Sequence, residues 1–318
     1  MTVTRKETFE AVPGPTELRN PRTTGIDALG TLEVLHLLND EDGRVPAAVR
    51  AVLPALARAV DLAVERVRAG GRVHYFGAGT SGRLAVLDAA ELLPTFNAPP
   101  GLVVAHHAGG AEALVRAVEE VEDSEALGAR EAAAVGPSDL ALGITASGRT
   151  PYVAGALAAA RRTGAATVLV TSDPASALAP LADVLVAPDT GPEAVAGSTR
   201  LKAGTAQKLL LNGFSTALMV RLGRTWSNLM VDVVPTNAKL RRRVVRILGE
   251  ATGADEQACL EALDACGGEL KTALVHMLTG APPAACRDAL AAAGGVAADA
   301  VTRLQAAGHP LPDATHRR

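Results

Sequence analysis

The sequence has 318 residues, enough for one large α/β domain with a smaller appendage or for two ordinary domains. Lysine and arginine number 31 against 34 aspartates and glutamates, and this net charge of −3 gives no electrostatic attraction to nucleic acid or to an anionic membrane. Aromatic residues make up only 2% of the chain, which argues against stacking surfaces for single-stranded nucleic acid.

The compartment is indicated by the cysteines and by the ends of the chain. Cys259, Cys266 and Cys286 form an odd set without metal-ligand spacing, which is typical of a reducing compartment. The first residues contain no apolar segment with a cleavage site, and no apolar run reaches membrane-spanning length. We therefore expect a soluble cytoplasmic protein with no membrane contact.

In chain order, residues 1–24 carry three prolines and are predicted to form an extended arm. A helical pattern follows up to residue 70, with a helix start at Val45-Pro46. Short apolar runs then alternate with helical stretches, and such alternation predicts an α/β fold with a parallel sheet covered by helices on both faces. The five runs are residues 72–76, 101–105, 139–144, 166–170 and 183–187.

The last part of the chain has a different sequence pattern, without the alternation of apolar runs and helical stretches. A long helix is predicted over residues 198–222, and short helices separated by glycines follow after Lys239. We predict a main domain over residues 25–245, a small all-helical domain over 246–305 and a disordered tail over 306–318.

The strongest local signal is the glycine-rich segment Gly77–Gly82, which joins an apolar run to a helical pattern. Glycines let the backbone approach a ligand closely, and free N–H groups at a helix start favour an anion. Gly79, Thr80 and Ser81 are therefore predicted to bind phosphate. The segment matches neither the P-loop nor the dinucleotide fingerprint, and an ordinary glycine turn is the alternative.

A second segment of the same design, Thr145–Pro151, follows the run at 139–144. Pro151 suits the first turn of a helix. Loops after two strands of one parallel sheet converge at its carboxyl edge, where open α/β sheets bind ligands. Ser147, Gly148 and Thr150 are therefore predicted to share the phosphate site.

Two glutamates are candidates for acid/base chemistry. Glu91 is expected near the end of the helix after the first loop, among apolar neighbours that can raise a carboxyl pKa. Glu122 lies in the acidic segment 117–125, which is predicted to be helical with Leu114, Val115 and Val118 as its buried stripe. An exposed glutamate is the alternative for each.

The position of Glu91 raises a difficulty. Ten residues separate it from Ser81, and a straight helix of that length spans about 15 Å. Either the helix bends, or Glu91 serves the site of a neighbouring subunit.

A third block, residues 191–216, carries cations at a predicted helix start. Ser198 and Thr199 are expected to cap this helix, and Lys202 in its first turn calls for an anion or an acidic partner because cations there oppose the helix dipole. Ser198 and Lys202 are thus candidate ligand-binding residues, with an ion pair to Glu193 as the alternative for the lysine.

The histidines and the spacing of possible metal ligands give little further evidence for a catalytic site. His106 and His107 could touch a ligand, whereas His36, His74 and His276 are expected in the core. The sequence has no metal-ligand spacing, nucleophile elbow or Cys-His pair, so we expect no metal site and no covalent catalysis.

Several blocks together resemble, in order, the motifs of the N-acetylmuramic acid 6-phosphate etherases, over about residues 16–300. They are TELRNPRTTGID, LLNDED, YFGAGTSGRLAVLDAAELLPTF, AVEEVEDS, GITASGRTPYV, GPEAVAGSTRLKAGTAQKLLLN and NLMVDVVPTNAKL. The resemblance implies a sugar isomerase (SIS) domain with a doubly wound parallel sheet, a C-terminal helical domain similar to ubiquitin-associated domains, no cofactor, and a homodimer with sites near the subunit interface.

The resemblance also implies a reaction, the cleavage of the lactyl ether of N-acetylmuramic acid 6-phosphate to N-acetylglucosamine 6-phosphate and D-lactate in peptidoglycan recycling. By motif, Glu91 corresponds to the acid toward the lactate oxygen and Glu122 to the base, while hydroxyls of Ser81, Ser147 and Thr150 hold the phosphate. The chain departs from the family pattern at Ala85, Leu92-Leu93, Thr145 and His106-His107. Changes at Leu92 and His107 could alter the shape of the pocket.

Three rival functions remain. One is a non-catalytic sugar-phosphate sensor similar to the glucokinase regulatory protein, although that protein has two SIS domains and a sensor would not require both glutamates. Another is a SIS-type transcription regulator, which the slightly acidic residues 1–70 disfavour. The last is an aldose–ketose isomerase, which would release no lactate.

Overall fold

The computed structural model describes residues 14–116, 118, 120–233 and 238–308, without the side chains of residues 238 and 239. Contacts between residues divide the chain into two compact units. The first comprises residues up to 87 together with 103–212, and the second comprises 88–102 together with the residues from 213 onward.

The first unit contains five parallel strands and the helices around them. Its strands are β1 Val73–Gly77, β2 Val103–His107, β3 Leu140–Ile144, β4 Ala166–Val170 and β5 Val184–Val186. Its helices are α1 Thr31–Asp42, α2 Val45–Arg68, the start of α3 Gly79–Phe96, α4 Gly110–Val115, α5 Glu125–Glu131, α6 Pro151–Arg162 and the start of α7 Lys202–Arg221.

The sheet has the order β2-β1-β3-β4-β5, and every pair is parallel. All residues of β1, β3 and β4 are buried, as expected for strands covered on both faces. The predicted α/β fold is confirmed, and the five apolar runs coincide with the five strands within two residues at each end. The apolar character of short runs marks β1, β3 and β4 because these three strands have no solvent face.

The order of the strands creates a switch point. The chain leaves β1 toward β2 on one side and leaves β3 toward β4 on the other, so the connections from these two adjacent strands run in opposite directions and leave a crevice between them. In the register, Gly77 pairs with both His107 and Ile144, which means that three strands end at one level. The two predicted phosphate loops start at this level.

Helices α5 and α6 pack with their backbones in contact. A β-carbon on Gly128 would lie 1.9 Å from the carbonyl oxygen of Tyr152, and one on Gly155 would lie 2.0 Å from that of Glu125. Only glycine fits at both positions. Tyr152 is fully buried in the core beneath this contact, and its hydroxyl donates to Glu131.

The predicted N-terminal arm falls partly on residues 1–13, which lie outside the described residues. Residues 14–24 form two three-residue 3-10 helices, Pro15–Glu17 and Pro21–Thr23, each begun by a proline and joined by extended residues. The Asn20 side chain accepts a hydrogen bond from the backbone N–H of Arg22 and so caps the second of them.

The second unit is mainly helical. A hairpin of β6 Thr225–Trp226 and β7 Leu229–Met230 precedes α8 Ala238–Thr252, α9 Glu256–Ala265, α10 Leu270–Thr279, α11 Pro283–Ala292 and α12 Ala297–Ala306. One apolar core joins the hairpin to these helices and includes the three free cysteines. The predicted boundary at residue 245 lies inside α8, and of the predicted tail residues 309–318 lie outside the described part of the chain. No described helix is both long and apolar enough to cross a membrane.

Candidate active site

A cavity of about 420 Å³ lies in the first unit at the carboxyl ends of β1 and β3. Its walls come from the loops after both strands, from the turn before α5, from the loop before α7 and from the first 3-10 helix. The lining residues are Glu17, Ala78, Gly79, Thr80, Ser81, Glu122, Asp123, Ile144, Thr145, Ala146, Ser147, Arg149, Thr150, Pro151, Gly197 and Thr199. Six hydroxyl groups therefore face one space at the switch point of the sheet.

The loop after β1 is a close turn into α3. A β-carbon on Gly77 would lie 2.8 Å from the backbone nitrogen of Gly82, so the strand and the helix start can touch only because the glycines are bare. Since α3 begins at Gly79, the first N–H groups of the helix stand beside the cavity with the hydroxyls of Thr80 and Ser81. This is the environment in which helix starts bind anions.

The loop after β3 is organised around a buried hydroxyl. Oγ1 of Thr145 lies 2.7 Å from Oγ1 of Thr150 and 3.3 Å from Oγ of Ser147. Gly148 has φ +68°, and its carbonyl accepts a hydrogen bond from Ser176. Ser147 and Thr150 thus line the cavity as predicted neighbours of Ser81, whereas Gly148 shapes the loop from outside the lining.

Charges of both signs surround the cavity. Arg149 lines it, and a guanidinium nitrogen of this residue lies 3.9 Å from a carboxylate oxygen of Asp173. Glu17, Glu122 and Asp123 supply carboxylates. Sequence reasoning missed Arg149 and Thr145 as site residues, although both stand in the loop that it singled out. The cavity can hold an anion at its hydroxyl-rich floor beside a carboxylate.

Glu122 lies in a turn, and the helix predicted over residues 117–125 is wrong. Helix α4 ends at Val115, which is 83% exposed, so the expected apolar stripe does not form. Glu120 has φ +66°, a backbone conformation that no α-helix contains. The carbonyl of Glu122 instead accepts a hydrogen bond of 2.9 Å from the backbone N–H of Tyr152. That bond fixes Glu122 to the start of α6, next to the phosphate loop.

Glu91 is an exposed residue of α3 and belongs to the second unit. It stands outside the described lining of the cavity. Helix α3 is continuous from Gly79 to Phe96.

The predicted caps of α7 are replaced by a buried carboxylate. Glu193 accepts hydrogen bonds of 2.9 Å from the backbone N–H groups of Lys202 and Ala203, so Ser198 and Thr199 do not cap this helix. Glu193 is fully buried, and burial raises the pKa of its carboxyl. Ser198 and Lys202 lie outside the cavity lining.

Lys202 is held in the scaffold. Its ammonium lies 2.6 Å from Oε2 of Glu41, and both side chains are almost fully buried. Glu41 also accepts hydrogen bonds from Arg22 and Asn20, with Arg22 making the closest contact. These bonds, led by that from Arg22, lower the pKa of the Glu41 carboxyl to about 2 against the opposing effect of burial. The network ties the arm, α1 and α7 together.

The histidines were predicted to lie either in the core or at the ligand site, and the structure changes this assignment for two of them. His36 is exposed on α1, so its expected place in the core is wrong, whereas His74 is buried. Nδ1 of His74 lies 3.0 Å from Nε2 of His106, which also stacks on Phe76, so His106 faces the sheet and not the cavity. Burial lowers the pKa of His106 to about 4. Among the described residues, no group of three His, Cys, Asp or Glu side chains is placed to hold a metal ion.

Comparisons with known proteins agree with this geometry. A model described as "Glucokinase regulatory protein N-terminal SIS domain" matches residues 55–161, and one described as "SIS domain" matches residues 113–216. In fold, the chain is similar to a phosphoheptose isomerase from Francisella tularensis, with a TM-score of 0.50 and 21% identity over 60% of this chain and 100% of that one. The parallel sheet and its helices are therefore a SIS domain.

Two relatives are similar over most of the chain. The N-acetylmuramic acid 6-phosphate etherase of Thermobifida fusca (strain YX) is 62% identical over 269 residues, which are 85% of this chain and 88% of the relative. The protein of the same name from Symbiobacterium thermophilum is 54% identical over 264 residues, 83% of this chain and 88% of the relative.

Proposed function

The chain belongs to the family of N-acetylmuramic acid 6-phosphate etherases, and on that premise we propose that it cleaves the D-lactyl ether of N-acetylmuramic acid 6-phosphate. The products are N-acetylglucosamine 6-phosphate and D-lactate. One observation on the structure supports this function independently of the family. Glu122 lines the same cavity as Ser81, Ser147 and Thr150, which places a candidate base beside the candidate phosphate-binding hydroxyls.

The phosphate binds at the switch point. Hydroxyls of Ser81, Ser147 and Thr150 donate to its oxygens, together with N–H groups at the start of α3, and Arg149 supplies a positive charge. The phosphate is remote from the carbons that react, so its binding energy serves to orient the sugar.

The chemistry is proton transfer beside a carbonyl. Opening of the sugar ring exposes an aldehyde at C1, which acidifies the proton on C2. Glu122 removes this proton, the electron pair forms the C2=C3 double bond, and the C3–O bond breaks as the protonated Glu91 gives its proton to the lactate oxygen. Water then adds to C3 and returns its proton to Glu91, while Glu122 returns its proton to C2. Atoms and charges balance without a cofactor.

Glu91 acts in the site of a second copy of the chain. Ten residues of continuous helix separate it from Ser81, a span of about 15 Å, which exceeds the reach of a sugar phosphate held at Ser81. A homodimer in which each subunit lends Glu91 to the other removes this difficulty. The three free cysteines suit a cytoplasmic location, where the enzyme would recycle peptidoglycan sugars.

D-lactate release from N-acetylmuramic acid 6-phosphate tests the function. We expect release by the wild type and a loss of at least ~100-fold in both Glu91→Gln and Glu122→Gln. Glu120→Gln is the matched control, because it removes the same charge two residues from Glu122 and outside the cavity lining. Binding of the sugar phosphate without lactate release would instead favour a sensor, consistent with the match of residues 55–161 to the regulatory-protein domain.

A further inference from the structure

A second, smaller cavity of about 250 Å³ adjoins the first. Both cavities share Ala78, Gly79 and Glu122 as lining residues, so the Glu122 side chain stands between them. Most of the remaining wall is aliphatic and includes Val118 and Val121. The second cavity is thus an apolar recess next to the carboxylate to which we assign proton removal.

His107 brings an unsatisfied acceptor to this recess. It ends β2 and is 6% exposed, and its Nδ1 lies 2.7 Å from the carbonyl oxygen of Ala108. A carbonyl oxygen can only accept, so Nδ1 carries a proton, and in the neutral imidazole Nε2 then carries the lone pair. Nε2 is buried and has no hydrogen-bond partner within the described part of the chain. A buried acceptor without a donor is unfavourable, and a ligand with an N–H or O–H group would supply the missing hydrogen bond.

Arg83 is the other polar side chain of the recess, and it is occupied by the protein. Its guanidinium donates to the carbonyls of Leu114 at 2.9 Å, Ala113 at 2.7 Å and Arg116 at 3.1 Å. These bonds satisfy the end of α4 and hold the wall of the recess in place. His107 and Glu122 are therefore left to contact a ligand.

We propose that this recess is the subsite for the acetamido group on C2 of the substrate, whose N–H donates to Nε2 of His107 while its methyl group packs on Val118 and Val121. The proposal rests on the proposed function. Glu122 takes the proton from C2, so whatever else C2 carries must lie directly beside Glu122. An acetamido group combines a donor with a methyl group, and the recess combines an acceptor with an aliphatic wall.

The lactyl group fits this recess poorly. Its carboxylate would face both the lone pair of His107 and the carboxylate of Glu122, and like charges at short distance repel. It also offers no hydrogen-bond donor once ionised. The lactyl group therefore lies elsewhere, and His107 determines the preference for a 2-acetamido sugar.

The test compares two ligands by calorimetry. N-acetylglucosamine 6-phosphate carries the acetamido group, and 2-deoxyglucose 6-phosphate carries no substituent on C2. We expect the wild type to bind the first at least ~10-fold more tightly, and His107→Leu to lose about 10-fold in affinity for the first while changing less than about 2-fold for the second. His107→Gln, which places an amide oxygen near the position of Nε2, retains most of the preference.

Two patterns of binding contradict the proposal. Equal binding of the two ligands by the wild type, or an equal loss for both in His107→Leu, would overturn it, because the second result indicates a disturbed fold or phosphate site. Lactate release is measured on the same preparation. If the wild type releases lactate but His107→Leu changes neither affinity, the subsite is wrong and the proposed function stands. If His107→Leu selectively loses affinity for the acetamido sugar but the wild type releases no lactate, only the proposed function is wrong. If the wild type binds neither ligand, both are wrong.

Discussion

The ammonium nitrogen of Lys202 lies 2.6 Å from Oε2 of Glu41, although the two residues are 161 positions apart in the chain and both are buried. When Lys202 is removed, the buried Glu41 carboxylate loses one cationic partner and keeps its hydrogen bonds from Arg22, so the protein loses the free energy of one charge-assisted hydrogen bond. Lys202 thus stabilises the loop before α7, and we expect it to make no contact with phosphate.

We predict that Lys202→Met destabilises the protein by about 1.5–3 kcal/mol, the value of one hydrogen bond to a charged group, and leaves the KM of the folded enzyme unchanged. Urea unfolding and lactate release measure the two quantities. Lys208→Met is the control, since Lys208 lies on the same helix and is exposed at its hydrogen bond to Asn212. A large rise in KM at unchanged stability would show that Lys202 contacts substrate.

Glu41 predicts a dependence of stability on pH. Its pKa falls from the ordinary value of 4.5 to about 2 in the folded protein, so its stabilising effect is complete above pH 4.5 and is lost as the pH falls toward 2. The lost free energy is on the order of 3 kcal/mol. Unfolding by urea at several pH values should therefore show wild type and Glu41→Gln converging below pH 4.5. Asp40→Asn, an exposed neighbour on α1, should follow the wild type in parallel.

Thr145 is predicted to position the phosphate-binding hydroxyls. Its buried Oγ1 joins Ser147 and Thr150, so Thr145→Val leaves both hydroxyls without their common partner. We expect inhibition by inorganic phosphate to weaken by about 5–10-fold, in line with the loss of one or two hydrogen bonds. Thr163→Val, at the far end of α6, serves as the control. Unchanged inhibition would assign the orientation of these groups to the backbone alone.

Arg149 is predicted to contribute charge to the phosphate site. Arg149→Met should lower the affinity for inorganic phosphate by about 10-fold and reduce its dependence on ionic strength, because the attraction of a half-exposed cation is screened by salt. Arg162→Met is the control, because it removes the same charge from the exposed last residue of α6, the helix that follows the loop of Arg149. Equal effects of the two substitutions would mean that Arg149 acts through net charge only.

A mixing experiment tests whether two subunits share a site. If Glu91 and Glu122 of one site come from different chains, half of the dimers in an equal mixture of Glu91→Gln and Glu122→Gln contain one intact site, and activity returns to about one quarter of wild type. If both glutamates come from one chain, every site in the mixture stays defective. The subunits are exchanged under mild denaturant and lactate is measured after its removal.

The fold follows from local pattern to a large extent. Runs such as Leu140–Ile144 are buried on both faces, so their apolar character alone marks them as central strands. The two loops were identified because glycines and hydroxyls directly follow such strands. Their convergence followed from the direction of parallel strands, and the structure places Ser81, Ser147 and Thr150 on one cavity.

Contacts distant in sequence were not predictable in this way. The acidic segment 117–125 has a composition typical of a helix. Nothing within it indicates that the N–H of Tyr152, on another element, donates to the carbonyl of Glu122. A lysine beside a helix start reads as an anion ligand until Glu41 is found opposite. The burial of His107 Nε2 without a hydrogen-bond partner could not be predicted either, because it depends on how α4 and the turn after it pack around the recess.

The contact between α5 and α6 sets a limit on how this chain can vary. The N–H of Tyr152 donates to the carbonyl of Glu122, and the carbonyl of Tyr152 packs against the α-carbon of Gly128. Gly155 packs in the same way against the backbone of α5. A single added methyl group at either glycine would push the two helices apart and carry the carboxylate out of its cavity. A saturation mutagenesis screen for growth on the substrate should therefore score Gly128 and Gly155 as strictly as Glu122, and a library made to change sugar preference should leave them untouched.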